Sequence, residues 1–401
     1  MFVLVLISYP AWEYYWYSKV GLAFIKWHTH LAAYLYLWLA GAFCYSALNK
    51  VSLPGKTKNY FLLFSTVLVS FFLIEMYFIF SGANKTQAEK DFATYKSFYV
   101  VPDKGHYHVW PVTSNEHWII KPEFKVWRPT NSIGLPDYEW PKSDSVKVKR
   151  IMAIGDSFTE GDGAPYDSSY VALLKSKLNA EGDSFYLMNA GVCGSDPFNN
   201  YILYKDKLFA YRPNLIIQTL ATNDLINDII IRGGMERFLK DGAQKFHPAP
   251  WWEPVYACSY ISRLFFQTIG YNELLVKDKL NPDEEKKLND EVISLFKQYA
   301  SLCAQNNTRL VVALYPDKTE VNNHQYRYNF SSILKSLKED DGIEVIDLLP
   351  AYIAYAAKNN TNPEKYFWVI DGHLNPKGYK MMADCIYYKM MPLLAAPATT
   401  K

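Results

Sequence analysis

The sequence predicts an α/β fold, with a parallel sheet that carries helices on both faces and membrane-spanning helices before it. Two observations lead to this prediction. From about residue 146 onward, short apolar runs alternate with amphipathic helical patterns, the order from which βαβ units are built. Before that point, residues 31–48 and 60–80 form two long apolar runs that contain a single charged residue, Glu75.

The predicted strands are short and mostly apolar, as strands buried on both faces of a sheet are. They cover residues 146–154, 184–188, 214–220, 309–314 and 343–346. The predicted helices have apolar residues at helical spacing and cover residues 166–180, 196–210, 282–305, 330–339 and 376–394. Sequential strands joined by helices in this way give a parallel sheet.

Composition divides the 401 residues into three segments. Residues 1–80 are expected to be a membrane anchor with two or three transmembrane helices. Residues 81–145 are a connector with short aromatic strands, at 97–101, 117–120 and 124–127, which we expect to pack on the main domain. Residues 146–395 are the main α/β domain, with an insertion at about 225–282.

The two apolar runs are close to the ~20 residues that a helix needs to cross a bilayer. Lys50, Lys56 and Lys58 lie between them without any acid, so the positive-inside rule places this turn in the cytoplasm. The chain after residue 80 is then extracytoplasmic, on the outer side of a cytoplasmic (inner) membrane and therefore periplasmic. The alternative is a pair of helices buried in a protein core.

Two details of the anchor were less clear from sequence. Residues 2–26 are interrupted by charges and a proline, so they form either a third span or an interfacial helix. Glu75 lies near the outer end of its run, where we expect a solvated or headgroup-level carboxylate.

Charge and cysteine content exclude several classes of function. The net charge is +2 and no basic stripe is present, so nucleic-acid binding is not expected. The five cysteines are widely spaced, which disfavours zinc binding, although one disulfide among Cys258, Cys303 and Cys385 is left open. The connector histidines lack partners at ligand spacing, so no metal site and no cofactor are predicted; they are His106, His108 and His117.

Polar residues and glycines follow the predicted strands where each strand ends. Gly155-Asp156-Ser157 follows the first strand, residues 189–194 the second and residues 221–224 the third, and Asp371-Gly372-His373 precedes the last helix. The carboxyl ends of parallel strands meet at one edge of the sheet, where ligands and reacting groups collect. A serine, a histidine and an aspartate at such an edge indicate nucleophilic catalysis.

These four blocks together resemble the GDSL, or SGNH, hydrolase superfamily over about residues 146–394. The resemblance implies a flavodoxin-like three-layer α/β/α fold. It also implies Ser157 as nucleophile, Gly194 and Asn223 in the oxyanion hole, and His373 as base. Gly-Asp-Ser-Leu of the family is Gly-Asp-Ser-Phe here.

The chemistry of these roles is consistent with the residue types. Ser157 becomes a nucleophile when His373 takes its proton, and Asp371 would fix the imidazole tautomer. The backbone N–H groups of Ser157 and Gly194 and the amide of Asn223 would stabilise the oxyanion.

Asp371 stands two residues before His373, whereas many family members have the aspartate three residues before the histidine. The shorter spacing resembles membrane-associated members that O-acetylate or de-acetylate polysaccharides. Asp347, at the end of a predicted strand, is the reserve candidate for the triad. Asp156 and Asp224 are expected to support the site by bracing its loops.

The insertion at about 225–282 lies where a lid or a substrate wall is expected. Trp251 and Trp252 within it would either stack on a sugar ring or acyl chain, or seal the insertion onto the core.

The resulting hypothesis is a membrane-anchored serine esterase or O-acetyltransferase that uses an acyl-enzyme on an extracytoplasmic ester, in particular a glycan ester. The expected partners are the bilayer, through residues 31–48 and 60–80, the ester or glycan substrate, and a membrane acyltransferase. The alternatives are a lipid-directed lipase or thioesterase and a non-catalytic glycan-binding or assembly protein.

Overall fold

The computed structural model describes residues 27–50, 56–83, 107–112, 116–141, 148–180, 185–222, 224, 229, 233–240, 259–269, 281–339 and 342–395. The chain divides into two compact units. The first consists of residues 1–98 and 248–275, and the second of residues 99–247 and 276–401. The catalytic candidates all fall in the second unit. The insertion is shared between the units, because its middle part belongs with the apolar N-terminal helices.

Strands and helices are numbered along the described chain. The strands are β1 Glu116–Ile120, β2 Lys125–Pro129, β3 Lys149–Gly155, β4 Phe185–Gly191, β5 Leu215–Leu220, β6 Arg309–Leu314 and β7 Ile343–Asp347. The helices are α1 Trp27–Lys50, α2 Lys56–Ser81, α3 Ser157–Glu160, α4 Tyr170–Ala180, α5 Pro197–Leu203, α6 Tyr260–Thr268, α7 Pro282–Ala304, α8 Lys318–Asn323, α9 Ser331–Lys338, α10 Leu349–Lys358 and α11 Pro376–Ala395.

The second unit is built on a five-stranded parallel sheet with the order β4-β3-β5-β6-β7. This confirms the predicted α/β fold and its five strands. The central strand β3 pairs with β4 on one side and β5 on the other, so the three strand ends that carry the first three polar blocks are neighbours. The site is therefore assembled at the carboxyl edge of adjacent strands.

Two hydrophobic clusters cover the two faces of the sheet. Met152 and Ile154 belong to one cluster, and Ile151 and Ala153 belong to the other, because successive strand residues point to opposite faces. The strand is buried on both sides, which explains its uninterrupted apolar sequence. Cys303 and Cys385 are unbridged and lie in different clusters, so the disulfide that was left open does not join these two residues.

The helices depart from the predictions in several places. The predicted helix 166–180 begins with the separate 3-10 turn Tyr166–Ser168 before α4. The predicted helix 196–210 is α5 followed by the π-helical turn Tyr204–Leu208 and the 3-10 turn Phe209–Tyr211. Helices α8 and α10 were not predicted from sequence.

The connector contributes a two-stranded antiparallel sheet, β1 and β2, to the second unit. Residues 121–124 form the turn between its strands, closed by a hydrogen bond from the Lys121 N–H to the Phe124 carbonyl at 2.9 Å. The third predicted connector strand, at 97–101, lies outside the described residues. The turn of this strand pair contacts residues 369–371 through Glu123, and Arg128 of β2 contacts Gly161 after α3.

The first unit contains α1, α2 and α6. Helix α2 is long and apolar enough over Lys58–Ser81 to cross a membrane, and most of its side chains are exposed. Aromatic pairs join α1 to α2, with Tyr34 beside Phe72 at 5.6 Å and Tyr45 stacked on Phe61 at 4.8 Å.

Glu75 differs from its prediction. We expected a solvated carboxylate, but the Glu75 side chain is fully buried in the first unit. Its oxygens accept hydrogen bonds from the start of helix α6, which supplies the polar partners that a buried charge needs.

Candidate active site

Ser157 lies at the sharp turn from β3 into α3. Asp156 is the N-cap of α3, and its Oδ1 accepts the Phe158 N–H at 3.0 Å. Gly155 is required by space, because an added Cβ would lie 1.9 Å from Thr219 Oγ1 on the neighbouring strand. The Asp156 carboxylate also accepts the Tyr315 hydroxyl at 2.6 Å. These contacts fix the turn that presents Ser157.

Ser157, His373 and Asp371 form one chain of hydrogen bonds. His373 Nε2 is 2.7 Å from Ser157 Oγ, and His373 Nδ1 is 2.5 Å from Asp371 Oδ1. The side chains of His373 and Asp371 are 20% and 10% exposed, so the chain is shielded but open on one side. This geometry places a base within reach of the serine proton and an acid behind the base.

The reserve candidate, Asp347, has other partners. Its Oδ1 accepts the Tyr326 hydroxyl at 2.9 Å and the Leu349 N–H at 3.1 Å, at the start of α10. Asp347 therefore has the contacts of a helix cap, and Asp371 is the carboxylate that contacts His373.

The carboxylates around His373 favour its protonated form. Burial by itself lowers the pKa of His373, but the hydrogen bond that His373 donates to Asp371 and the charges of Asp162, Asp371 and Asp156 outweigh burial and raise it above 6.5. Burial acts to raise the pKa of Asp371, and its bond and charge interaction with His373 reverse this, so the pKa of Asp371 is lowered. These carboxylates thus stabilise an imidazolium at His373.

The loop after β4 brings Gly194 to the same edge of the sheet. Gly155 of β3 is opposite Gly191 of β4, and the Val192 N–H and the Ser195 hydroxyl both donate to the Gly155 carbonyl at 2.9 Å. Gly194 has φ of +70°, which other residues rarely adopt, and the space where a Cβ would project is open. A substrate can therefore approach the backbone at Gly194.

The loop after β5 is described only in part. Asn223 lies outside the described residues, as do Trp251 and Trp252 of the insertion. Asp224 Oδ2 accepts the Ala221 N–H at 3.0 Å, and the Thr222 hydroxyl donates to Glu320 at 2.5 Å. Both neighbours of Asn223 are thus tied to the core at the edge where an oxyanion donor is expected.

Glu123, in the turn between β1 and β2, binds the loop that carries Asp371. Its carboxylate accepts three consecutive backbone N–H groups, from Val369 at 2.9 Å, Ile370 at 2.7 Å and Asp371 at 2.8 Å. Next to it, the Phe124 ring stacks on Trp368. The connector therefore holds the backbone of Asp371 in place.

The connector also reaches the loop that carries Gly194. His108 Nε2 is 2.7 Å from the Cys193 carbonyl oxygen. Glu160 accepts the Cys193 N–H at 2.7 Å through one oxygen and the Trp110 indole N–H at 2.7 Å through the other. Both backbone groups of Cys193, the residue before Gly194, are thus fixed from outside the loop.

Glu160 is fully buried. Burial, followed by the nearby charge of Asp162, raises its pKa to about 8. The backbone of Glu160 packs closely against Gly191. A Cβ on Gly191 would lie 2.0 Å from the Glu160 nitrogen, so a glycine is needed at this position. Arg128 of β2 is buried nearby, and its guanidinium donates to the Gly161 carbonyl.

Sequence reasoning did not identify Glu123, His108, Trp110 or Glu160. Glu160 carried a usable signal, because it is a charged residue inside the short Gly155–Gly161 stretch that leads out of a buried strand. His108 had been considered only as a metal ligand. Glu123 carried no signal, since its partners are backbone groups 246 to 248 residues away along the chain.

A nucleophilic serine paired with histidine and aspartate at the carboxyl edge of a parallel sheet defines a class, the serine hydrolases. The model of the GDSL-like Lipase/Acylhydrolase family matches residues 153–381, more than half of the chain. The chain therefore belongs to this family, and it is a serine hydrolase of the esterase type.

Solved structures with a similar outline are esterases of low sequence identity. The acetyl xylan esterase AlAXEase shares 17% identity with a TM-score of 0.39, covering 60% of this chain and 100% of its own. A Clostridium thermocellum family 3 carbohydrate esterase shares 16% with a TM-score of 0.38, covering 62% and 98%. The psychrotrophic esterase EstA from Pseudoalteromonas sp. shares 16% with a TM-score of 0.36, covering 62% and 100%. A search of curated proteins gives no match.

Proposed function

We propose that the protein is a membrane-anchored enzyme that removes or transfers an O-acyl group, in particular an acetyl group, of an extracytoplasmic glycan. The observation that carries the catalytic part is the hydrogen-bond chain from Ser157 Oγ through His373 to Asp371. Ser157, His373 and Asp371 act as nucleophile, general acid–base and orienting acid.

In the first half-reaction, Ser157 Oγ attacks the carbonyl carbon of the ester while His373 Nε2 takes the serine proton. The carbonyl oxygen becomes an oxyanion, which the N–H groups of Ser157 and Gly194 and the Asn223 amide would stabilise. Losing one such donor typically costs ~2.7–4 kcal/mol of transition-state stabilisation. Collapse of the intermediate expels the alcohol, which takes the proton from His373, and leaves the acyl group on Ser157.

In the second half-reaction, a hydroxyl group attacks the acyl-Ser157 ester and gives its proton to His373. Water as the nucleophile gives a carboxylic acid, and a sugar hydroxyl gives a new ester. In both cases the proton returns from His373 to Ser157 Oγ. Hydrolysis and transfer therefore use the same groups and differ only in which acceptor reaches the site.

Membrane attachment is supported by helix α2, which is long and apolar enough to cross a membrane. The aromatic pairs between α1 and α2 join early residues of one helix to late residues of the other, the order of an antiparallel hairpin. The lysines at the joint, Lys50, Lys56 and Lys58, would face the cytoplasm by the positive-inside rule. The catalytic unit would then act on the periplasmic side.

A glycan substrate is supported by one feature of the sequence, the two-residue spacing of Asp371 and His373. This spacing resembles that of membrane-associated family members that add or remove polysaccharide O-acetyl groups. A membrane acyltransferase would be the partner that supplies the acyl group if the reaction is transfer. Trp251 and Trp252 remain proposed as a wall for the sugar or acyl group.

The experiment compares the full chain with Ser157→Ala in detergent, using p-nitrophenyl acetate and longer acyl esters. We expect acetate to be cleaved by the wild type and a rate at least ~10³-fold lower for the variant, since the nucleophile is removed. Equal rates would eliminate the proposed mechanism and favour a non-catalytic glycan-binding protein. A strong preference for long acyl chains would instead favour a lipase or thioesterase.

Hydrolysis and transfer are separated by adding oligosaccharide acceptors to the same assay. An acetyltransferase should give acetylated sugar and little free acetate, while an esterase should give free acetate only. Thr159→Ser, on the same short helix, is the matched control for Ser157→Ala. It keeps the hydroxyl that bonds to Thr219 and leaves Ser157 in place, so it should retain activity.

A further inference from the structure

Helix α6, in the middle of the insertion, is attached to the apolar helix α2 through Glu75. One Glu75 oxygen accepts the Tyr260 N–H at 2.6 Å, and the other accepts the Ile261 N–H at 3.1 Å and the Ser259 hydroxyl at 3.2 Å. These are the first N–H groups of α6, which have no partner within the helix. A negative charge at this end is also favoured by the helix dipole.

Ser259 completes the junction as the N-cap of α6. Its hydroxyl oxygen accepts the Ser262 N–H at 3.2 Å, and its carbonyl accepts the Ser262 hydroxyl at 2.9 Å. The N–H groups of Tyr260, Ile261 and Ser262 thus each have an acceptor, and Glu75 is fully buried. A buried carboxylate in an apolar helix is costly unless it is bonded in this way, so the contact explains an acid in α2.

The outward face of α6 is apolar. Leu264, Phe265 and Ile269 are 46%, 60% and 50% exposed. The exposed Thr268 hydroxyl donates to the Leu264 carbonyl at 2.7 Å, so it presents no unpaired polar group. Arg263, the one charged residue of α6, is 1% exposed and lies over the Tyr260 ring.

This pattern is the reverse of a helix that faces water, where charged residues lie outside and apolar residues inside. Helix α2 shows the same reversal, with Phe71, Leu73 and Ile74 all exposed. Helix α6 and helix α2, which Glu75 joins, thus both expose apolar side chains. Nine residues of α-helix span only ~13.5 Å, too short to cross a bilayer.

We infer that α6 is an interfacial membrane helix, fixed to the spanning helix by Glu75, with Leu264, Phe265 and Ile269 inserted among lipid acyl chains. The inference rests on the proposed membrane attachment of α2. It gives the insertion a role as a second membrane contact of the enzyme.

The test uses three exposed aromatic positions in the full chain: Phe265 in α6, Phe71 in α2 and Tyr388 in the catalytic unit. Each is replaced separately by the photoreactive benzoylphenylalanine, and the protein is reconstituted in vesicles whose phospholipid acyl chains carry an alkyne tag. Illumination followed by tag detection measures lipid cross-linking. We expect Phe265 and Phe71 to label lipid to a similar extent, and Tyr388 at least ten-fold less.

The outcomes test the membrane contact of α6 and the membrane anchoring of α2 separately. Lipid labelling at Phe71 with none at Phe265, or cross-linking of Phe265 to protein instead, would overturn the inference and leave the anchor intact. Absence of lipid labelling at Phe71 would overturn membrane anchoring itself, and the inference with it. The ester assay with Ser157→Ala tests the catalytic proposal separately from both.

Glu75 is tested with the same label at Phe265. Glu75→Leu removes the acceptor of the Tyr260 and Ile261 N–H groups, so we expect lipid labelling at Phe265 to fall several-fold while labelling at Phe71 persists. Glu75→Gln keeps one carbonyl acceptor and should give an intermediate value. Tyr77→Leu, at an exposed position of the same helix, is the control and should have no effect. Unchanged labelling in Glu75→Leu would refute the role of Glu75.

Discussion

The two loops of the active site that the structure describes are each held by a glutamate, in different surroundings. Glu123 is half-buried at the turn of the connector, and it binds three consecutive N–H groups of the loop that carries Asp371. Glu160 is fully buried and binds one N–H group of the loop that carries Gly194, together with the Trp110 indole. Glu123 belongs to the connector, which precedes the main domain in sequence, whereas Glu160 belongs to the short helix α3 that begins at Ser157.

The surroundings give the two carboxyl groups opposite pKa shifts. Burial acts to raise the pKa of Glu123, but the three backbone hydrogen bonds outweigh it and the pKa is lowered. For Glu160, burial dominates and raises the pKa to about 8. Glu123, which keeps access to water, is thus ionised at neutral pH and accepts hydrogen bonds as a carboxylate. Glu160, which is in the core, changes its charge near neutral pH. Near neutral pH we expect the hydrogen bonds of Glu123 to the Asp371 loop to be insensitive to pH, and those of Glu160 to the Gly194 loop to respond to it.

The largest effect expected in this comparison is that of Asp371→Asn, which leaves the Glu123 contacts in place but removes the charge behind His373. By analogy with serine triads in general, kcat should fall on the order of 10⁴-fold. In the wild type, kcat/KM should rise with pH as His373 loses its proton, with a midpoint above 6.5 because its pKa is raised. Removing the Asp371 charge should move this midpoint to lower pH.

The control for this prediction is Asp347→Asn, at the other carboxylate considered for the triad. Its contacts are with Tyr326 and the start of α10, so kcat should change little while stability decreases. Steady-state rates between pH 5 and 9 give both measurements. A larger loss of kcat in Asp347→Asn than in Asp371→Asn would reverse the assignment of the acid.

The next effect concerns Glu123 as a positioning residue. Glu123→Ala removes the acceptor for three N–H groups, so the Asp371 backbone should shift and kcat should fall about 10- to 100-fold, as expected for a small misplacement of a reacting group. KM should change little, since the hydrogen bonds of Glu123 are made to the loop backbone. Glu123→Gln retains one acceptor oxygen and should recover part of the rate.

Lys125→Ala is the matched control, because it removes a charged side chain from the same strand pair. Its ammonium lies over the Trp118 ring, 4.7 Å from the ring centre. Both variants should have similar melting temperatures. Equal kcat values for Glu123→Ala and Lys125→Ala would show that the connector does not position Asp371.

The parallel sheet and the positions of its strands along the chain followed from sequence because buried parallel strands are short apolar runs between helices. The strand 309–314 was predicted at the position of β6, and 343–346 differs from β7 by one residue. Ser157, Gly194, Asp371 and His373 were identified because each follows a predicted strand or precedes a predicted helix. The periodicity of the chain thus contains the information that brings these loops to one edge.

The supports of the site were not predictable in this way. Glu123 binds backbone N–H groups, and backbone groups leave no mark in the sequence of the segment that donates them. Glu75 was expected to be solvated because it interrupts an apolar run, and its partner is a helix 184 or more residues later. Helix α8 was missed because it has six residues, fewer than the periodicity of a helix requires to be recognised.

The smallest effect expected is that of Glu160→Gln on the pH dependence of stability. In the folded protein Glu160 keeps its proton up to about pH 8, while in the unfolded chain a glutamate loses it near 4.5. Between these values the folded state binds more protons, so the free energy of unfolding should decrease as the pH rises. This contribution is at most about 1.4 kcal/mol per pH unit, and Glu160→Gln should abolish it.

Unfolding measured at pH 5, 6, 7 and 8 should therefore give a shallower slope of the free energy of unfolding against pH for Glu160→Gln than for the wild type. Glu339→Gln, at an exposed carboxyl, is the control. Identical slopes for wild type and Glu160→Gln would mean that Glu160 is charged throughout, and that the two loops of the site are held in the same way.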